Sequence, residues 1–138
     1  MREILFRGKR CDNGEWEFGN LIISPYFKDC VMIERRETKN GYHATLRINP
    51  ESVGQYTGLK DKNGKRIFED DIVRYRRHTG AINFTLGCFC IRAREKDMFG
   101  RSNPAIDIIV NEYPNEIEVI GNIHDNPDLV ERSDHDGK

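Results

Sequence analysis

Ile82, Phe84, Leu86, Cys88 and Cys90 fall at every second position, with Asn83, Thr85 and Gly87 between them. A period of two belongs to a strand with one buried face, so a continuous strand is predicted over 82–90. Residues 72–77 alternate more loosely and predict another. Ile106, Ile108 and Val110 predict a further strand, and 117–123 a last one. In the first half the apolar runs are shorter and are punctuated by Asn13-Gly14, Asn40-Gly41 and Asn63-Gly64. A type I′ hairpin turn needs positive φ at both central residues, which Asn tolerates and Gly accepts freely. Taken as a two-residue loop, the first pair sets Arg10 opposite Glu17, Phe6 opposite Leu21 and Leu5 opposite Ile22. The second sets Ile33 opposite Ile48 and Glu34 opposite Arg47. In the first hairpin apolar residues then meet apolar ones and the charges are complementary, while the second also sets Arg35 opposite Leu46. The third pair lies in the polar tip 60–66 and, as a two-residue loop, brings Leu59 opposite Phe68.

Two segments break the strand pattern. Residues 92–104 are polar and end in Ser102-Asn103-Pro104, which reads as an exposed loop. Asn126-Pro127-Asp128 reads as an N-cap, a proline at the first helical position and an acid near the positive helix end. A short C-terminal helix follows, docked by Leu129 and Val130. Residues 133–138 read as a frayed tail. Short strands with turn signals every ten to fifteen residues give a mainly β domain, either a small barrel or roll with additional β-hairpins or a pair of packed sheets.

Composition narrows the setting. A chain of 138 residues fits one domain, and 37% hydrophobic residues can supply its core. The 22 basic residues are balanced by 23 acidic ones. No global field therefore draws the protein to nucleic acid or to an anionic membrane. No apolar run approaches the roughly 20 residues of a membrane span, and Ile4-Leu5-Phe6 is too short for a signal peptide. The expected location is the cytoplasm, with Cys11, Cys30, Cys88 and Cys90 as free thiols.

Each candidate for chemistry meets a plainer reading. Cys88 and Cys90 share one face of a strand, but structural zinc sites use Cys-x₂₋₄-Cys pairs with a second knuckle. Core thiols, without metal or cofactor, are expected. Gly54, Gly58 and Lys60 lack the spacing of a phosphate-binding loop. His124 and Asp125, adjacent on an extended chain, point apart, and Asp125 suits the helix start. His43, His78 and His135 are scattered among polar residues. The strongest positive signal is Arg74-Tyr75-Arg76-Arg77-His78. On a strand, Arg74, Arg76 and His78 would form a basic ridge suited to a phosphate backbone or an acidic partner. A solvated edge strand is the plainer reading. The uncharged run 82–90, with Ile82, Phe84, Leu86, Phe89 and Ile91, is the candidate surface for self-association.

Three stretches together resemble the YopX family of phage and prophage proteins. They are Arg2-Glu-Ile-Leu-Phe-Arg-Gly-Lys9, the specific Val53-Gly-Gln-Tyr-Thr-Gly-Leu-Lys-Asp-Lys-Asn-Gly-Lys-Arg-Ile-Phe-Glu-Asp-Asp-Ile-Val73, and Glu118-Val-Ile-Gly-Asn-Ile-His-Asp-Asn-Pro-Asp-Leu129. The match is weakest over 79–116. Asp70 stands where the family pattern has Gly, and Asp can supply positive φ there at modest cost. The resemblance implies one YopX-like β domain over 1–132, an SH3-like barrel element, homo-oligomers and phage origin, and it implies no activity. The expected role is a non-enzymatic accessory protein of the bacterial host cytosol that self-assembles and binds a phage or host protein. The alternatives are a nucleic-acid-binding small β-barrel and an enzyme with an unrecognised site.

Overall fold

The computed structural model describes residues 2–35, 44–93, 103–113 and 115–130. The chain is mainly antiparallel β and divides into two compact units, 1–56 and 57–138.

In the first unit, β1 (Phe6–Lys9), β2 (Trp16–Ile23), β3 (Val31–Arg35), β4 (Thr45–Ile48) and β5 (Gly54–Lys60) take the order β4-β3-β2-β1-β5. The first hairpin is paired two residues away from the predicted register: Phe6 faces Gly19 and Gly8 faces Glu17. The type I′ turn does not form. Asn13 uses its side chain, with Oδ1 accepting from Glu15 N at 2.9 Å, and Gly14 at φ 73° donates to Arg10 O at 3.0 Å. The loop widens to the residues between Arg10 and Glu15. A slip of two preserves which side chains share a face, so the predicted faces hold although the partners change. The curl of the sheet accounts for the slip. Arg10 bridges Ile48, and Asn49 N donates to Lys9 O at 2.8 Å. A Cβ on Gly8 would collide with the Ile48 side chain, and one on Gly19 with the Glu34 carbonyl. Glycine is what lets these backbones close on one another.

The β3–β4 pair is displaced in the same way. Val31 faces Ile48 and Ile33 faces Leu46, where Ile33 opposite Ile48 was expected. The Asn40-Gly41 turn lies outside the described residues. Ile33 and Ile48 are fully buried and anchor this unit's core with Leu5 and Val31.

In the second unit, β5 continues to the Asn63-Gly64 turn and β6 (Arg66–Phe68) is its neighbour. This turn forms at the predicted place but with three loop residues instead of two, so the register that set Leu59 opposite Phe68 is not kept. Asp61 N donates to Lys65 O at 2.8 Å, and Gly64 sits at φ 79°, the arrangement of a type I turn closed by a left-handed glycine. Asp61 is buried because its carboxylate organises the tip. Oδ1 accepts from Asn63 N and Lys65 N, and Oδ2 accepts from Val119 N at 3.0 Å.

The other sheet has the order β10-β7-β8-β9, from β7 (Asp71–Tyr75), β8 (His78–Thr85), β9 (Cys88–Ala93) and β10 (Glu118–Asn122). Two expectations are corrected. The continuous strand over 82–90 is a hairpin that turns at Leu86-Gly87, where both residues adopt positive φ (50° and 80°). The periodicity runs unbroken because both arms keep their alternation through a two-residue turn. Ile106 to Val110 is helix, not strand: α1 spans Ile106–Glu112. Ile106, Ile109, Val110 and Tyr113 also fit the i, i+3, i+4, i+7 spacing of a helical face. Ile106 and Ile109 are buried in a core with Ile67, Val73, Tyr75, Ile82, Ile91 and Ile117, while Ile108 faces solvent. The C-terminal helix begins as predicted, with residues 127–130 helical after Asn126. Asn126 Oδ1 accepts from Asn122 N at 3.3 Å, across a position where a Cβ on Gly121 would clash. The tail 133–138 lies outside the described residues, as do 94–102 of the predicted loop.

Candidate functional site at two hairpin tips

The predicted basic ridge does not lie along a strand. Tyr75 pairs with His78, so Arg76 and Arg77 form the tight turn between β7 and β8. Arg74, Arg76 and His78 therefore share no strand face. The alternation read from the sequence counted through a turn that carries no Gly, Asn or Pro to mark it. Arg74 is exposed and stands opposite Glu118 of β10, an opposite-charge pair. Tyr75 is a core residue whose ring packs near His78 (5.3 Å between centroids) and Tyr113 (6.0 Å). Arg76 adopts φ 52°, and its guanidinium lies 4.7 Å from the Tyr113 ring centroid, with Nε 3.1 Å from Glu116. The C-cap of α1 thus supplies an aromatic face, and the turn that follows it a carboxylate, to this arginine.

The candidate self-association residues divide along the β8–β9 hairpin. Ile82 faces Ile91 and Phe84 faces Phe89, so the four share one sheet face. Ile82 and Ile91 are fully buried, which removes them from any contact surface. Phe84 and Phe89 carry the same apolar stripe outward, with rings edge to face at 5.0 Å and Phe84 55% exposed. Leu86 at the tip is 99% exposed. Three of the five predicted residues are therefore brought together at one tip. The opposite face of the hairpin carries Asn83, Thr85, Cys88 and Cys90. The expectation of two core thiols holds for Cys90 alone, since Cys88 is exposed.

Some features escaped the sequence reading. His124 does not act with Asp125; its Nε2 lies 3.0 Å from Asp70 Oδ2. Asp70 adopts φ 73°, as anticipated for a position where Gly is the family residue, and the exchange brings a carboxylate to that histidine. In the first unit the Glu17 carboxylate is buried between Arg35 and Arg10. The Arg35 hydrogen bonds, at 2.6 and 2.9 Å, hold its pKa below the usual carboxylate value. The β2–β3 loop exposes Ile23, Tyr26 and Phe27, with Ser24 Oγ accepting from both Tyr26 N and Phe27 N. The signal for that turn was present in Ser24-Pro25. No helix among the described residues is long and apolar enough to cross a membrane.

The family model described as YopX protein matches residues 5–131. The crystal structure of protein EF1440 from Enterococcus faecalis is similar, with a TM-score of 0.59 at 24% identity, over 94% of this chain and 99% of that one. At that identity the likeness concerns the fold. None of the curated proteins matches the chain.

Proposed function

We propose that this chain, which belongs to the YopX family, is a non-enzymatic phage or prophage accessory protein that assembles with copies of itself through the β8–β9 tip. It would act in the host cytosol, where the assembly binds a phage or host protein. The supporting observation is Leu86. A leucine at positive φ is strained by about 1–2 kcal/mol, and one that is 99% exposed gains no burial within its own chain. Phe84 and Phe89 extend the same apolar tip. A residue that breaks a local rule without a local gain points to a use elsewhere. An identical tip, related by a two-fold axis, offers a self-complementary apolar surface. The tight β7–β8–β9 meander supports reading an SH3-like element in the second unit.

Light scattering over a range of concentrations tests the proposal. Leu86→Asn suits the turn better and removes the apolar tip. It should raise the dissociation constant about tenfold or more, since burying a leucine contributes about 1.5–3 kcal/mol. A monomeric parent protein, or an assembly indifferent to Leu86→Asn, would remove the basis for this reading.

A nucleic-acid reading draws on a different place from the one the sequence suggested. Lys9 lies 5.4 Å from the Trp16 ring centroid, and Phe18 on the same strand as Trp16 is 46% exposed, while Arg7, 4.6 Å from that ring, is buried and takes no part in such a surface. Cations beside aromatic rings suit single-stranded nucleic acid. An oligonucleotide that fails to bind at low salt would dispose of this alternative.

A further inference from the structure

Cys88 and Cys90 stand two apart on β9, so both sulfurs project from the same face, the one turned away from the Ile82–Ile91 core stripe. Their Sγ atoms are 3.5 Å apart. Side chains at i and i+2 of a strand ordinarily stand about 6–7 Å apart at their bases, so the two thiols lean together. Cys88 is exposed and Cys90 is buried, which makes the pair open to solvent from one side. Across the hairpin, Thr85 faces Cys88 and Asn83 faces Cys90. Asn83 Oδ1 is buried and has no hydrogen-bond partner among the described residues. The immediate surroundings of the sulfurs are thus polar, with the Asp107 carboxylate near enough to act on Cys90.

We propose that Cys88 and Cys90 form a two-thiolate site for a soft, thiophilic metal ion of tetrahedral preference, with two coordination positions left open. The two thiols are within hydrogen-bond reach of one another, and that spacing needs only a small opening to become a tetrahedral bite. Two thiolates bound at about 2.3 Å to a tetrahedral ion stand about 3.8 Å apart, whereas a linear arrangement would separate them by about 4.6 Å. The observed spacing is close to the first and far from the second. Among the described residues no group of three His, Cys, Asp or Glu side chains is placed to hold a metal. That distinguishes this pair from a closed structural site and leaves room for water or an incoming ligand. Burial, together with the neighbouring Cys88 sulfur, pushes the Cys90 thiol up to about 11, so the ion must displace its proton. On binding, each thiol releases a proton to water, two sulfur–metal bonds form, and four waters leave the six-coordinate aqua ion, two remaining in the open positions. No oxidant or reductant is needed. Soft ions win this exchange because thiolate is the soft ligand. The site does not depend on self-association, because its sulfurs lie on the opposite face from Phe84 and Phe89.

The test is a titration of the reduced full-length chain with Cd(II), in a Cys11→Ser/Cys30→Ser background that leaves only this pair. The expected result is one ion per chain, sulfur-to-metal charge-transfer absorption, and two sulfur neighbours by X-ray absorption. Adding Cys88→Ser, at an exposed position that the fold does not depend on, should weaken binding at least about thirtyfold and leave one sulfur neighbour. No uptake, a single sulfur neighbour in the parent, or equal affinity after Cys88→Ser would overturn the proposal.

Discussion

The turns at the two ends of β8 share their length and the φ of their first residue and are surrounded differently. Each is a two-residue turn whose first residue is a non-glycine at positive φ, Arg76 at 52° and Leu86 at 50°. Around Arg76 the fold supplies the Tyr113 ring and the Glu116 carboxylate, contacts that offset the conformational strain inside the chain. Around Leu86 the side chain is almost wholly in solvent. A similar φ at the first residue with unequal local support separates a turn tied into the fold from one whose side chain gains no contact within it. The basic turn looked functional in the sequence because arginine suggests partners; in the fold, Arg76 is tied to α1 and its neighbour Tyr75 is core. The apolar tip is the more telling of the two.

The largest expected effect divides the apolar stripe itself. Ile82→Ala or Ile91→Ala should destabilise by about 2–5 kcal/mol, as core truncations do. Phe84→Ala, half exposed on the same face, should cost less than about 1 kcal/mol. Chemical denaturation of the three variants would show it. Equal losses at 82 and 84 would mean the tip is covered within the chain, and the contrast with Arg76 would collapse.

A second substitution tests the turn geometry. Gly87 has φ 80° with open space around it, so Gly87→Val should cost about 1–3 kcal/mol through backbone strain alone. Arg77, the second residue of the other turn, is not at positive φ, and Arg77→Val should stay within about 0.5 kcal/mol. Thermal melts of the two variants give the comparison. A silent Gly87→Val would show that Leu86-Gly87 does not hold the paired left-handed conformation.

Smaller and opposite in sign is the relief of strain. Leu86→Asn should stabilise the monomer by about 0.5–1 kcal/mol, since Asn tolerates the left-handed region. Arg76→Asn gains the same relief but loses Tyr113 and Glu116, and should bring no net stabilisation. Melting at a dilution where the protein is dissociated separates this effect from assembly. A matched gain at both positions would mean the contacts to Arg76 contribute nothing.

How much of this could be read from the sequence depended on whether a local signal had a competitor. The third Asn-Gly turn formed because Asp61, close by in sequence, supports it with two backbone hydrogen bonds. The first was displaced by two residues because Gly8 and Gly19 allow a backbone approach set by β3 and β4, which no local window contains. Ile106 and Val110 fit both a strand and a helix, and the deciding partners, β9 and the core around Ile91, are distant in sequence. Leu86-Gly87 gave no turn signal because leucine is not a turn residue. For the same reason, the sequence grouped Phe84, Leu86 and Phe89 on one strand rather than about one turn: alternation is preserved through a two-residue turn. Cys88 and Cys90 were correctly placed on one face, but their sulfur separation depends on rotamers that spacing does not specify.

The smallest expected effect bears on what supports Arg76. Its Nε lies 3.1 Å from Glu116, and both side chains are roughly half exposed, at 54% and 41%. Water and salt screen a pair like this, so a double-mutant cycle with Arg76→Ala and Glu116→Ala should give a coupling of only about 0.2–1 kcal/mol. The Tyr113 contact acts through the ring quadrupole and adds about 0.5–1 kcal/mol at such an exposed site. The two can be told apart by ionic strength. Raising salt from 0.01 M to 1 M shortens the screening length from about 30 Å to about 3 Å, which should remove most of the Arg76–Glu116 coupling. The Arg76–Tyr113 coupling, which includes close packing of the guanidinium plane on the ring, should persist. If both couplings vanish together, the arginine is held by charge alone, and in high salt the β7–β8 turn becomes as unsupported as the tip at Leu86. If only the carboxylate coupling vanishes, the aromatic face is what distinguishes the two turns.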